Sequence, residues 1–264
     1  LKLRIDNNGE KILAHTLNGS SLALPRIVAC ILENFQTENN IHIPKILIPY
    51  TGFEKIWFLL KRVKPKKYLG QHFLNDSNIS KKIVHNLTSN KLKNILEIGP
   101  GMGILTQHLI NNKTETFFVE IDKDSIVYLN KVYPKIQNSI INEDFLKLKL
   151  NKFKTPIGLI GNFPYNISSQ ILFKLIENRD KVEELVGMFQ LEVAQRVCAP
   201  PGSKTYGILS VLIQAFYSAE FLFSLSPNHF NPPPKVNSGV IRLTKKSNIN
   251  IGCDEELFFK IVKI

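Results

Sequence analysis

The chain has 264 residues, 44% of them hydrophobic and 21% charged, which is a globular composition and excludes a disordered or fibrous one. Lys and Arg outnumber Asp and Glu by 34 to 22, a net charge of +12. That excess points to a polyanionic partner, nucleic acid first and an anionic membrane surface second, against the bland alternative of an Ile/Asn/Lys-rich codon bias. The apolar runs, Ile56 to Leu60 among them, are far short of a membrane span, and no basic-then-apolar leader opens the chain. Cys30, Cys198 and Cys253 stand in no metal-ligand or redox spacing. Free thiols, no metal and a cytoplasmic location are expected.

In chain order, a helix is expected over Pro25–Asn34, with Ile27, Val28, Ile31 and Leu32 on one face. Pro44, Pro49 and Thr51-Gly52 punctuate an irregular stretch, and the basic run Lys61, Arg62, Lys64, Lys66 and Lys67 reads as a junction. From Tyr68 onward helix and strand alternate. Asp76 or Ser77 caps a helix to about Leu87; Asn94–Ile98 is a buried strand; a helix runs from about Gly103 to Ile110. Strands follow at Thr116–Ile121, near Ile140, at Ile157–Gly161, Leu185–Gln190, near Phe221 and at Val236–Leu243. Helices fit Asp124–Val132, Ser168–Glu177, Glu192–Cys198 and Tyr206–Tyr217. Such alternation predicts an α/β fold with a doubly wound, mostly parallel sheet.

Four segments carry chemistry. In Glu97-Ile98-Gly99-Pro100-Gly101-Met102-Gly103, glycines at alternate positions between strand and helix let a backbone approach a ligand closely. A dinucleotide fingerprint would need glycine at Ile104, so the spacing favours a nucleoside-binding turn of the methyltransferase kind; a plain strand–helix joint is the alternative. Glu120, at the end of the next strand, can accept from both ribose hydroxyls, unless it is a solvated strand-end acid like Asp122 and Asp124 beside it. Asp144 in Asn142-Glu143-Asp144-Phe145 can accept from an adenine amine, although loop acids there are common. Asn162-Phe163-Pro164-Tyr165 is the most specific. An aromatic amine is a poor nucleophile because its lone pair is delocalised. A side-chain oxygen at Asn162 and a backbone carbonyl held by Pro164 can accept both amine hydrogens, and Tyr165 offers a face to an extruded base. A structural turn explains the Asn and Pro but not the Tyr.

Gln71-His72-Phe73-Leu74, the Glu97–Gly103 turn, Asn162–Tyr165 and Phe230-Asn231-Pro232-Pro233-Pro234-Lys235-Val236 occur in that order. Together they resemble the small-subunit rRNA adenine dimethyltransferases, from about Val63 to the end of the chain. The resemblance implies a Rossmann-like fold dependent on S-adenosylmethionine, acting as a monomer on two adjacent adenosines in the 3′-terminal hairpin of 16S rRNA. It implies that His72 and Leu74 close over the cofactor, Gly99 and Gly101 line its methionine part, Glu120 takes its ribose and Asp144 its adenine. Asn162, also counted with the cofactor site, and Tyr165 would hold the target adenine, with Phe230 stacked on its other face. Many relatives have Asn where this chain has His72, and Lys where it has Leu191. Phosphate contacts are expected from Lys64, Lys66 and Lys67. Rival readings are the erythromycin-resistance type of 23S rRNA dimethyltransferase and a non-catalytic RNA-binding assembly factor.

The first part resembles the extreme C-terminus of a seryl-tRNA synthetase, through His15-Thr16-Leu17-Asn18-Gly19-Ser20, Arg26, Leu32-Glu33-Asn34 and Ile43-Pro44-Lys45, with Arg26 matching an ATP-contacting arginine. Ser21 and Pro25 stand where many relatives have glycine. No aminoacylation is expected from so short a piece. Leu1 opens the chain and its first methionine is Met102, so it is read as part of a longer frame, two neighbouring genes read as one rather than a genuine fusion. The expected divisions are 1–56 for this fragment, 57–62 a junction, 63–245 the methyltransferase domain and 246–264 the start of a truncated helical domain.

Overall fold

Asn94–Ile98 (β1) is buried at every position, as a strand covered on both faces must be. It runs through the middle of a seven-stranded sheet. The other strands are Glu115–Val119 (β2), Ile140–Ile141 (β3), Ile157–Asn162 (β4), Val182–Gln190 (β5), Tyr217–Leu225 (β6) and Ser238–Lys245 (β7). Their order is β6-β7-β5-β4-β1-β2-β3. Every pairing from β3 across to β5 is parallel, and only β7 runs against its neighbours. The helices are Ser77–His85 (α1), Thr106–Leu109 (α2), Lys123–Val132 (α3), Ser168–Glu177 (α4), Leu191–Val197 (α5), Ile208–Phe216 (α6) and Glu255–Lys263 (α7).

This computed structural model describes residues 4–7, 10–13, 24–37, 40–57 and 63–263. They divide into two compact units, Leu1–Lys61 and Arg62–Ile264, and the sheet belongs to the second. The first unit holds a hairpin of Arg4–Asn7 with Glu10–Leu13, the helix Leu24–Asn34, and a strand pair of Asn40–His42 with Lys55–Trp57. That helix forms as its pattern predicts, with Val28 53% and Leu32 40% exposed. The stretch expected to be irregular contains a helical turn, Ile48–Thr51, ended by Gly52 in the left-handed region at φ 74°. His15–Ser20 and Ser21 lie outside the described residues.

One helix starts where sequence reading places its cap, and a second, Lys123–Val132, starts one residue before its expected bound behind a cap that was not foreseen. The Asp76 carboxylate accepts from the Asn78 and Ile79 amides at 2.9 and 3.1 Å, and Asp122 accepts from Asp124 at 3.1 Å. The helix expected from Gly103 is shorter, Thr106–Leu109, because Gly99, Gly101 and Gly103 all take positive φ and the chain cannot be helical until it has passed them. The helix expected over Tyr206–Tyr217 begins after Gly207 and stops at Phe216, where β6 takes over. One further pair was not foreseen: Phe73–Leu74 lies antiparallel to Phe230–Asn231. α7 packs through Phe258 and Phe259, whose rings lie 6.1 and 5.8 Å from that of Phe216.

The core beneath the strand ends depends on two glycines. Gly161 of β4 and Gly187 of β5 are cross-strand partners, and the Phe163 ring, 1% exposed, lies across both. A Cβ added at Gly187 would fall 2.0 Å from that ring. Replacing Gly187 with Ala is therefore expected to cost about 1–3 kcal/mol by overpacking, read from urea denaturation; an unchanged midpoint would show that the ring moves freely aside. Glu97, 1% exposed, accepts from the Thr106 hydroxyl at 2.7 Å and so fastens the glycine turn to α2. Burial lifts its carboxyl from 4.5 to about 8, with the charge of Glu120 adding to the effect against the Thr106 bond. The folded state thus holds a proton that the unfolded chain has lost. This contribution is complete below the unfolded value and disappears as pH rises towards the folded one. Denaturation of Glu97→Gln beside the parent is expected to show the variant gaining relative stability between about pH 5 and about pH 8. Parallel pH profiles would contradict it.

Candidate active site

β1 and β4 are neighbours, but the chain leaves β1 towards β2 on one side and leaves β4 towards β5 on the other. Loops that diverge this way open a crevice at the carboxyl ends of the strands. The crevice is a cavity of about 270 Å³. It is lined by Gly99 and Gly101 after β1, Glu120 and Ile121 after β2, Asp144 and Phe145 after β3, Asn162–Ile167 after β4, and Tyr68–Phe73.

The glycine turn is shaped for close approach. Gly99 has φ 67°, and nothing lies within 4 Å of where its Cβ would be, so the backbone is bare towards the cavity. At Gly101 a Cβ would sit 2.8 Å from the Phe73 ring. The Gly101 amide donates to the Glu120 carboxylate at 2.9 Å, and the Asp122 amide donates to its other oxygen at 2.8 Å. Glu120 is 4% exposed; burial pushes its carboxyl up, and these amides pull against that. The Asn142 side chain holds the Glu120 carbonyl at 3.0 Å. Glu120 is therefore an oriented acceptor rather than a solvated strand-end acid. Asp144 accepts from the Leu146 amide through one oxygen at 2.9 Å, which leaves the other for a ligand.

Asn162 donates its amide to the His72 carbonyl at 2.7 Å, which turns its Oδ1 away; no donor among the described residues reaches that oxygen. The Pro164 carbonyl accepts from the Ile167 amide at 3.2 Å and from the Ser168 hydroxyl at 3.3 Å. The Phe163 carbonyl, held from behind by Pro164, receives no bond among the described residues. Tyr165 hydrogen-bonds Ser238, and burial raises its phenol. Its ring stacks on His72 at 5.6 Å and 29°. The His72 Nδ1 lies 2.8 Å from the Pro232 carbonyl and so carries the proton.

Some expected site residues stand elsewhere. Phe230 is 4% exposed, in a core cluster with Leu74, Leu225 and Val240, and is not among the residues that line this cavity. Leu74, 2% exposed, borders a separate space of about 30 Å³ with Gly99 and Pro100. Lys66 is not available to phosphate: its ammonium is paired with Asp122 and, at 2.7 Å, with Asp124, both of which raise its pKa. Burial works against charge on Asp122, but Lys66 and Gln71 hold it below the ordinary value. Gln71 donates to Asp122 at 3.1 Å and accepts from the Lys66 amide at 2.9 Å, so the 66–71 segment is tied down over the cavity. Sequence reading missed this clamp, although Gln71 lay inside a motif it had singled out.

Set against known proteins, residues 62–264 match the model of the family described as ribosomal RNA adenine dimethylase. The chain is 52% identical over 206 residues to the ribosomal RNA small subunit methyltransferase A of Flavobacterium johnsoniae, covering 77% of this chain and 79% of that protein. It is 53% identical over 207 residues to the protein of the same name from Cytophaga hutchinsonii, covering 77% and 80%. Among solved structures, a dimethyladenosine transferase from Plasmodium falciparum superposes with a TM-score of 0.65 at 29% identity, over 73% of this chain and 70% of that one. The 23S rRNA methyltransferase ErmE gives 0.62 at 26%, over 72% and 77%. The chain belongs to the ribosomal RNA adenine dimethylase family, whose members are S-adenosylmethionine-dependent rRNA methyltransferases of Rossmann-like fold.

Proposed function

We propose that this protein dimethylates the N6 amines of two adjacent adenosines in the 3′-terminal hairpin of 16S rRNA, within the cytoplasmic small subunit and as a monomer. The observation that carries it is Asn162, held by its own amide so that Oδ1 stands as a bare acceptor beside the bare Phe163 carbonyl. Two acceptors there draw the amine hydrogens and leave the nitrogen lone pair localised, with catalysis owed to positioning more than to a base. The Tyr165 ring supplies a stacking face.

The residues fit S-adenosylmethionine, which when bound supplies an electrophilic methyl group on a sulfonium. Gly99 offers unobstructed backbone for its methionine part, with Gly101 packed on Phe73 beside it, the oriented Glu120 carboxylate takes the ribose hydroxyls, and Asp144 takes the adenine amine. His72, on the cavity wall, contributes through backbone, while Leu74 supports it from outside the cavity. Residues 63–245 form the catalytic domain in this reading, 246–264 begin a helical domain, 57–62 are a junction and 1–56 are a synthetase-like fragment without aminoacylation. A small-subunit substrate is favoured over 23S rRNA because the relatives above 50% identity are named for the small subunit, against 26% for ErmE.

Asn162→Ala is expected to lower kcat about a hundredfold or more while the Kd for S-adenosylmethionine changes less than about threefold, read by methyl transfer and calorimetry. Equal losses of both would sink the assignment. RNA affinity is expected to fall steeply with salt through exposed lysines such as Lys64 and Lys67, and Lys66→Gln should leave the salt slope unchanged. A slope that drops by about one for Lys66→Gln would show that its ion pairs open on RNA.

A further inference from the structure

Lys174, on α4 two turns below the Tyr165 loop, is a cation spent on backbone. Its ammonium donates to the carbonyls of Leu146 and Leu148, both at 2.8 Å, and lies 5.2 Å from the centre of the Phe145 ring. No carboxylate is in ion-pair contact with it among the described residues. Glu177, Asp144 and Glu143 act on it only at a distance, and desolvation lowers its pKa. A half-buried ammonium is an expensive way to meet two carbonyls, so what those carbonyls belong to matters.

They close a helical turn that runs from the cavity wall. Asp144 starts it, accepting from the Leu146 amide through its side chain and from the Lys147 and Leu148 amides through its carbonyl, at 2.9, 2.9 and 3.0 Å. The carbonyls at the far end of such a turn have no partner within it, and a positive charge is favoured there. We propose that Lys174 is a positioning residue, whose ammonium holds the Asp144–Leu148 turn from behind so that Asp144 and Phe145 keep their places at the adenine end of the cofactor site. The proposal rests on the reading of Asp144 given above. It extends the site to a helix none of whose residues lines the cavity.

The test uses the full chain, calorimetry with S-adenosylhomocysteine as probe, and amide hydrogen exchange. Lys174→Met keeps the aliphatic stem and removes the ammonium; it is expected to weaken the probe about tenfold and to speed exchange at Lys147 and Leu148 but not in the central strands. Lys174→Arg should restore affinity to within about threefold of the parent. Parental affinity in Lys174→Met, or faster exchange spread through the whole sheet, would overturn the positioning role. Asp144→Asn separates the two layers. If it weakens the probe while Lys174→Met does not, only the role of Lys174 falls; if neither variant weakens it, the placement of the adenine end falls as well.

Discussion

Between β1 and β4 the order of the sheet reverses, and that reversal decides where this protein can bind anything. In a parallel sheet most strand ends are covered by the loop that leads to the next helix. Where two adjacent strands send their loops to opposite sides, the space between stays open, and backbone from both loops faces it. Here one loop is the glycine turn and the other is Asn162–Tyr165, so a bare backbone and a bare side-chain acceptor face one cavity. Bringing an electrophilic methyl group and a weak amine nucleophile together needs that geometry more than it needs a strong acid or base.

Buried carboxyl groups hold the two loops in place. Glu120 ties the end of β2 to the glycine turn through one amide on each side. Glu97 ties the same turn to α2 from below. Asp122 caps α3 and gathers Lys66 and Gln71, so the segment leading to His72 is fastened at the same strand end. His72 in turn orients Asn162 through its carbonyl and Tyr165 through its ring. None of these groups needs to touch a substrate to matter. Each removes a freedom that the reacting groups would otherwise lose on binding.

Much of this was legible in the residues. The alternation of apolar runs and helical segments gave the parallel sheet, and the motifs marked the loops at its centre. Glycines at alternate positions were read rightly as a turn, but the helix behind them was placed too early. Their left-handed backbone, which delays the helix to Thr106, is a conformational fact that spacing alone does not carry. Lysines were the blind spot. Lys64, Lys66 and Lys67 read alike as phosphate contacts and Lys174 drew no reading, yet Lys66 is closed in an ion pair and Lys174 is turned onto carbonyls. Which lysines leave the surface depends on partners 56 and 28 positions away in sequence, such as Asp122 and Leu146, and only the fold brings those together. Phe230 shows the converse: an aromatic in a loop motif reads as a stacking platform, but here it is buried in a cluster with Leu74, Leu225 and Val240.

The most direct measurement is transfer of tritiated methyl from S-adenosylmethionine to small subunits that lack the dimethylation, beside protein-free 23S rRNA, with nucleoside digestion of both. Label recovered as N6,N6-dimethyladenosine from the small subunit alone is the predicted result. Label in 23S rRNA alone, or in neither RNA while S-adenosylmethionine still binds, would contradict it.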